Sequence, residues 1–125
     1  MTGPAPHLAA GRAAEEAATA FLAQQGYVPL ARNLRCGRAE LDIVARDRGT
    51  LAIVEVRYRA RRDFGGGAAS VTAAKQRHVI HATRLLLARE PAFARLPVRF
   101  DVVEVEPGDG TLTCRLIRGA FDARP

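Results

Sequence analysis

The sequence predicts one α/β domain whose sheet is covered by helices on both faces. Five short segments read as strands and two longer ones carry helical periodicity. The central strand pair, Ala39 to Arg59, is apolar on both faces near its turn, and such a sheet needs cover on both sides. The 125 residues suffice for one real core and not for two, so residues 1–125 are read as a single domain with a loose tail at 1–6.

Composition narrows the function classes. With 48% hydrophobic and 26% charged residues, the chain is ordinary globular material. It has no apolar run of about 18 residues, so no membrane span is expected. MTGPAPH has no basic segment leading into an apolar one, so no secretory signal is expected. Cys36 and Cys114 fit neither a paired metal motif nor a disulfide scaffold, and a reduced, cytoplasmic setting is the default. Net charge is +6, and all but one of the 19 Lys and Arg residues are arginine, which suits a polyanionic partner such as nucleic acid.

In chain order, a first helix is expected from about His7 to Gln25, with Gly11, Ala14, Ala18, Phe21 and Leu22 as its apolar stripe and Gly26 as its stop. Glu16 points away from that stripe. Glu15 lies at its margin and is the carboxylate able to look inward, although periodicity alone favours a surface charge there. Tyr27 to Arg35 reads as a strand, with Pro29 arguing for an edge or a bulge.

The central hairpin follows, broken at Asp47-Arg48-Gly49-Thr50, where Gly49 is free to take positive φ. If Arg48 and Gly49 form the loop, Asp42 stands opposite Glu55 and Glu40 opposite Arg57. Opposed Cβ atoms lie roughly 4.5–5.5 Å apart, so the two carboxylates repel unless a cation lies between them. A divalent metal with oxygen ligands is one solution; a cross-strand salt bridge on a solvated edge is the other. An odd-length loop or a bulge would break the register.

Arg57-Tyr58-Arg59-Ala60-Arg61-Arg62 is a basic run with one aromatic, followed by the loop Phe64-Gly65-Gly66-Gly67. This suits a groove that tracks phosphates, and also a plain solvated loop. A second helix is expected from Ser70 or Val71 to Arg89, capped by Ser70, with Val71, Ala74, Ala82, Leu85 and Leu86 as its stripe. Lys75 and His78 fall within that stripe, and such a lysine needs a partner or must snorkel outward. His78 and His81 read as packing and surface residues rather than metal ligands. Glu90-Pro91 ends the helix. Val98 to Glu106 and Thr111 to Arg118 are the last strands, joined by the turn Pro107-Gly108-Asp109-Gly110, and Asp101 is expected to pair with an arginine.

These residues resemble the YraN family of bacterial proteins, itself similar to Holliday-junction resolvases and the PD-(D/E)XK, restriction-endonuclease-like nucleases. The resemblance runs from Gly11 to about Val105. It is carried by GRAAEEAA from Gly11, ARN from Ala31, AELDIVA, VEVRYR, KQR from Lys75 and RFDVVEV from Arg99. It implies a restriction-endonuclease-like mixed central sheet flanked by helices on both faces, and Mg²⁺ or Mn²⁺ held by Asp42, Glu55 and Glu15. Phosphodiester hydrolysis in structured or branched DNA is the implied activity, with Asp42, Glu55, Arg57 and Glu15 as the catalytic set. Glu40 matches the acidic residue preceding the strand Asp. Arg59, Arg61, Arg62 and Lys75 are the expected nucleic-acid contacts. A junction resolvase would also need a two-fold homodimer to cut symmetrically.

Arg57 is the departure, because the pattern has lysine there. Arginine keeps the charge but cannot act as a base. Lys75, the other cation in question, could stand in from the second helix. The rival readings are a nucleic-acid-binding module with residual carboxylates and, more weakly, a protein-interaction role.

Overall fold

Two antiparallel ribbons and one parallel junction build the sheet. The computed structural model describes residues 6–59 and 71–123. Helix α1 (Pro6–Gln24) leads into β1 (Val28–Cys36), β2 (Ala39–Asp47) and β3 (Thr50–Tyr58), a meander. The chain crosses over through α2 (Ala73–Arg89) and the short α3 (Pro91–Ala94) to β4 (Val98–Pro107), and β5 (Leu112–Phe121) returns beside it. Strand order is β1-β2-β3-β4-β5, with β3 and β4 parallel and the other pairs antiparallel. The sheet is therefore mixed, as the resemblance implied. Residues 1–5 of the tail expected at 1–6, Arg61, Arg62, the loop at Phe64 to Gly67 and the Ser70 cap lie outside the described residues, while Pro6 already belongs to α1.

Each face of the sheet carries its own core. Ala14, Ala18 and Leu22 of α1, one turn apart, pack on Ile43, Ala45, Ala52, Val54, Val103 and Val105. On the opposite face Val79, Ala82 and Leu86 of α2 pack on Val44, Leu51, Ile53 and Phe100. Every fully buried Leu, Ile or Val here contributes about 1.5–3 kcal/mol relative to exposure. Helix α1 ends in a Schellman motif: Tyr27 N donates to Leu22 O and Gly26 N to Ala23 O, with Gly26 at φ 94°. Tyr27 and Leu22 then share the α1-side core.

Several local expectations are corrected. Helix α2 starts later than expected, capped by Thr72, whose hydroxyl accepts the Lys75 N–H. Its buried stripe is Val79, Ala82, Thr83 and Leu86, leaving Ala74 and Leu85 exposed. Thr83 is tolerated inside because its hydroxyl donates to Val79 O. In the hairpin turn the left-handed residue is Arg48, at φ 57°, rather than Gly49. Pro29 does sit on an edge strand beside a bulge.

A buried polar network pins the ends of three strands. Asp101, fully buried, accepts from Tyr27 Oη at 2.7 Å, Arg99 Nε at 2.8 Å and Gly119 N at 2.9 Å. Arg99 also donates to Asp47 Oδ2 at 2.7 Å, and the Arg118 guanidinium lies 5.4 Å from the Tyr27 ring centre. Burial, followed by the Asp101 carboxylate, pushes the Tyr27 phenol up to about 12. Asp101→Ala leaves Tyr27 Oη and Gly119 N–H without this acceptor and Arg99 with half its counter-charge. It should cost about 3 kcal/mol in urea unfolding, whereas a loss under about 1 kcal/mol would show that the network closes without Asp101.

A buried carboxylate pair where two strands part

The register of the hairpin is the one expected, with Asp47 facing Thr50 and Ile43 facing Val54, but the ladder stops there. The direct opposition of Asp42 to Glu55 and of Glu40 to Arg57 is not part of it. Beyond Ile43 the carboxylates take over from the backbone. Asp42 Oδ2 accepts the Val56 N–H at 2.9 Å, and Glu55 Oε2 lies 3.5 Å from Asp42 N, at the limit of a hydrogen bond.

The backbone is irregular at the same point. Leu41 joins the α2-side core with Val44, whereas Ile43 joins the α1-side core, so simple alternation along β2 fails around Asp42. Across β1 the facing residue is Asn33, at φ 50° between the pairs Arg32–Ile43 and Leu34–Leu41. Asparagine adopts that conformation more readily than most residues.

The pair lies in a strongly desolvated place. Glu55 is 1% exposed and faces α2, where Lys75 Nζ stands 3.3 Å from its Oε1. The ammonium is within ion-pair reach but poorly aligned, so Oε1 has no hydrogen-bond partner among the described residues. Burial, then the neighbouring Asp42 charge, raises the Glu55 carboxyl far above the usual range, and Lys75 pulls it partly back. Asp42 is raised too, chiefly by burial, against the opposing effect of the Val56 N–H and Lys75.

Two clefts meet here. One, of about 700 Å³, lies between the β1–β2 turn and α2 and is lined by Arg38, Glu40, Asp42, Lys75, His78 and His81 among others. Gly37, at φ 65°, makes that turn possible; a Cβ there would come within 2.8 Å of Leu85 Cδ1 on α2. The other cleft, of about 300 Å³, opens toward α1 and includes Glu15, Asn33, Glu40 and Asp42. Glu15 is raised by its burial, against the hydrogen bond from Asn33, and Asp42 raises it further.

The structure thus gathers Asp42, Glu55 and Lys75 directly, with Glu15 on the α1 side of Asp42. Among the described residues no three acidic, His or Cys side chains converge on a common point, so Glu15 does not complete a three-carboxylate cluster. Arg57 is exposed and lies beside Glu104 in the parallel register. Arg59 is drawn inward, its Nε 3.6 Å from Glu104 Oε2 and its side chain only 15% exposed. His78 and His81 are both exposed, so His78, which spacing placed within the apolar stripe, does not pack inward, whereas His81 is the surface residue expected.

Asn33 and Glu104 escaped the sequence reading. Asn33 carried a usable signal, an asparagine inside a strand. Glu104 is 7% exposed and held by Arg115 Nη2 at 2.7 Å.

Comparison with known proteins places the chain in context. A model of Uncharacterised protein family UPF0102 matches residues 14–105. A UPF0102 protein of Symbiobacterium thermophilum is 50% identical over 117 residues, which is 90% of this chain and 96% of the relative. One of Pseudomonas paraeruginosa is 44% identical over 125 residues, 98% of this chain and all of the relative.

The raised Glu55 carboxyl gives stability a pH signature. Its folded value, about 8, lies above the ordinary 4.5, so the folded state holds the proton more tightly than the unfolded chain does. The resulting stabilisation is complete below about 4.5 and lost as pH rises through about 8. In metal-free buffer, the melting temperature of wild type should fall relative to Glu55→Gln across that window. Parallel curves would show that Glu55 is not desolvated in solution.

Proposed function

The chain belongs to the UPF0102 family, and from its buried carboxylate pair we propose that it hydrolyses phosphodiesters in structured or branched DNA with the help of Mg²⁺ or Mn²⁺. The observation that carries this reading is the pair itself. Asp42 lines both clefts, and next to it the buried Glu55, one oxygen of which is orphaned, lies beside the Lys75 ammonium. Burying like charges together costs stability, and a hard cation would repay it.

The donor set fits such an ion. Asp42 and Glu55 offer only oxygen, and Mg²⁺ is commonly held by one or two carboxylates with water and substrate phosphate completing the shell. Asp42 and Glu55 would hold the ion, which when bound would polarise the phosphate and lower the pKa of water. Glu15, on the α1 side, would orient water through the smaller cleft. Arg57 would face the substrate phosphate, and Arg61 and Arg62, with Arg59 once it leaves Glu104, would hold the backbone. The preference for branched DNA rests on the resemblance to junction resolvases.

A second reading has a specific observation behind it. Arg57 stands where the nuclease pattern has lysine, and a guanidinium cannot lose a proton near neutrality. On that reading the chain is a nucleic-acid-binding module whose site is catalytically impaired.

One substrate panel separates the two. Branched, single-stranded and duplex DNA with Mg²⁺ or Mn²⁺ should show slow cleavage that Asp42→Ala abolishes and Arg57→Lys accelerates. Binding by both wild type and Arg57→Lys with no cleavage by either would leave the binding module. Affinity itself should fall steeply with salt, and replacing Arg61 and Arg62 together with alanine should lower the log–log slope by roughly 1–2. An unchanged slope would exclude those two arginines as phosphate contacts.

A further inference from the structure

We propose that the pocket between the β2–β3 turn and the end of α1 binds a phosphate group, gripped by the guanidinium groups of Arg48 and Arg118. The proposal is independent of the hydrolytic reading, because this pocket lies at the other end of the central hairpin. Asp47, in its lining, follows Asp42 by five positions on β2, roughly 17 Å along an extended strand. The pocket has a volume of about 430 Å³. Among the described residues its lining holds three arginines, Arg48, Arg99 and Arg118, against one carboxylate, Asp47.

The three arginines are not equivalent. Arg99 is spent on the fold, donating to Asp101, Asp47 and Tyr27 Oη at 2.7–2.9 Å. Arg118 is placed without being spent. Its guanidinium lies over the Tyr27 ring at 5.4 Å, and Tyr27 is itself fixed by burial and by its hydrogen bond to Asp101. Arg118 Nε stands 3.7 Å from Asp47 Oδ2, an oxygen that Arg99 already holds at 2.7 Å. Among the described residues no hydrogen bond uses the Arg118 guanidinium. Stacking holds the face of a guanidinium and leaves its edge of N–H donors for a ligand.

Arg48 is exposed, and its guanidinium likewise makes no ion pair among the described residues. It sits at φ 57° in the turn, while Gly49 beside it does not take positive φ. That conformation costs an arginine more than a glycine, and residues strained in this way cluster where a ligand is held.

An anion is the ligand this lining fits. The carbonyls of Phe21, Leu22 and Ala23 in the last turn of α1 already accept N–H groups from Gln25, Gly26 and Tyr27. Thr50 adds a hydroxyl to the lining. Two guanidinium edges suit the oxygens of a phosphate, which accept bidentate hydrogen bonds, and a phosphate monoester matches the surplus of positive charge. Such a group could come from the end of a nucleic acid or from a free nucleotide.

The test titrates inorganic phosphate into isotope-labelled wild type, followed by NMR, at low salt and without divalent metal. The Arg48 and Thr50 amides and Arg118 Nε should shift, with a dissociation constant of about 1 mM. Neither metal nor cleavage is needed, so a failure of the hydrolytic reading leaves this one standing. Arg118→Gln removes charge and fork together and should weaken phosphate about tenfold or more. Arg118→Lys, which keeps the charge alone, should recover only part of that loss. Arg48→Gln changes an exposed turn residue and should weaken binding comparably, which keeps the test open if Arg118→Gln lowers the melting temperature. No shift at the turn, shifts confined to the cleft around Lys75, or wild-type affinity in both glutamine variants would overturn the proposal. An oligonucleotide with a terminal phosphate that binds more tightly than its terminal-hydroxyl twin, a difference lost in Arg118→Gln, would support the site with a nucleic-acid end as its ligand. Equal binding of the two oligonucleotides beside tighter, Arg118-dependent binding of a nucleoside monophosphate would support it with a free nucleotide instead.

Discussion

A buried Glu55 held against the half-buried Asp42 is the constraint around which this molecule is arranged. Ionising either Asp42 or Glu55 is disfavoured by burial, and the charge of Asp42 adds to that cost at Glu55. What offsets it is local: the Val56 N–H on Asp42, the Asp42 N–H near Glu55 and the ammonium of Lys75. The remainder is carried by the sandwich, since β2 and β3 are gripped by α1 on one face and α2 on the other. A one-sided sheet would have let the strand ends part further and the acids hydrate. Cover on both sides is thus what keeps the pair close and Glu55 out of water.

The network around Asp101 makes an instructive contrast. It is also a buried carboxylate, yet its oxygens are satisfied by Tyr27, Arg99 and Gly119. Such a group specifies structure and leaves nothing over for a ligand. Glu55 is buried just as deeply and keeps one oxygen without a hydrogen bond. The same residue class therefore serves two purposes in one sheet, and what separates them is completeness of hydrogen bonding rather than burial.

Much of this was legible in the sequence. Periodicity located the two long helices and all five strands but not the short α3, and the two-residue loop gave the hairpin register through Asp47–Thr50. The α1 stripe at Ala14, Ala18 and Leu22 followed from helical spacing, whereas for Glu15 spacing gave only a place at the margin and by itself favoured a surface charge. What escaped depends on contacts distant in the chain. Val56 N–H can bond to the Asp42 side chain only once the ladder has ended, and no periodicity announces that end. Ser70 and Thr72 are both good capping residues, and spacing alone does not choose between them. The inward turn of Glu104 required Arg115, supplied by a different strand. Lys75 was recognisable as a lysine in need of a partner, but identifying that partner required the crossover from β3 to be traced in space.

The edges of the sheet have a consequence for how copies of this chain can associate. An open sheet invites a neighbouring molecule to add a strand at either side. Here β1 carries Pro29, which lacks an N–H, a bulge between Pro29 and Ala31, and the exposed Arg32 and Arg35. At the far side β5 carries a register shift opposite Phe100 and Val102, a left-handed Gly119, and the exposed Arg115 and Arg118. A strand laid along either margin would meet a broken ladder and like charge. Sheet continuation is thereby discouraged at both margins.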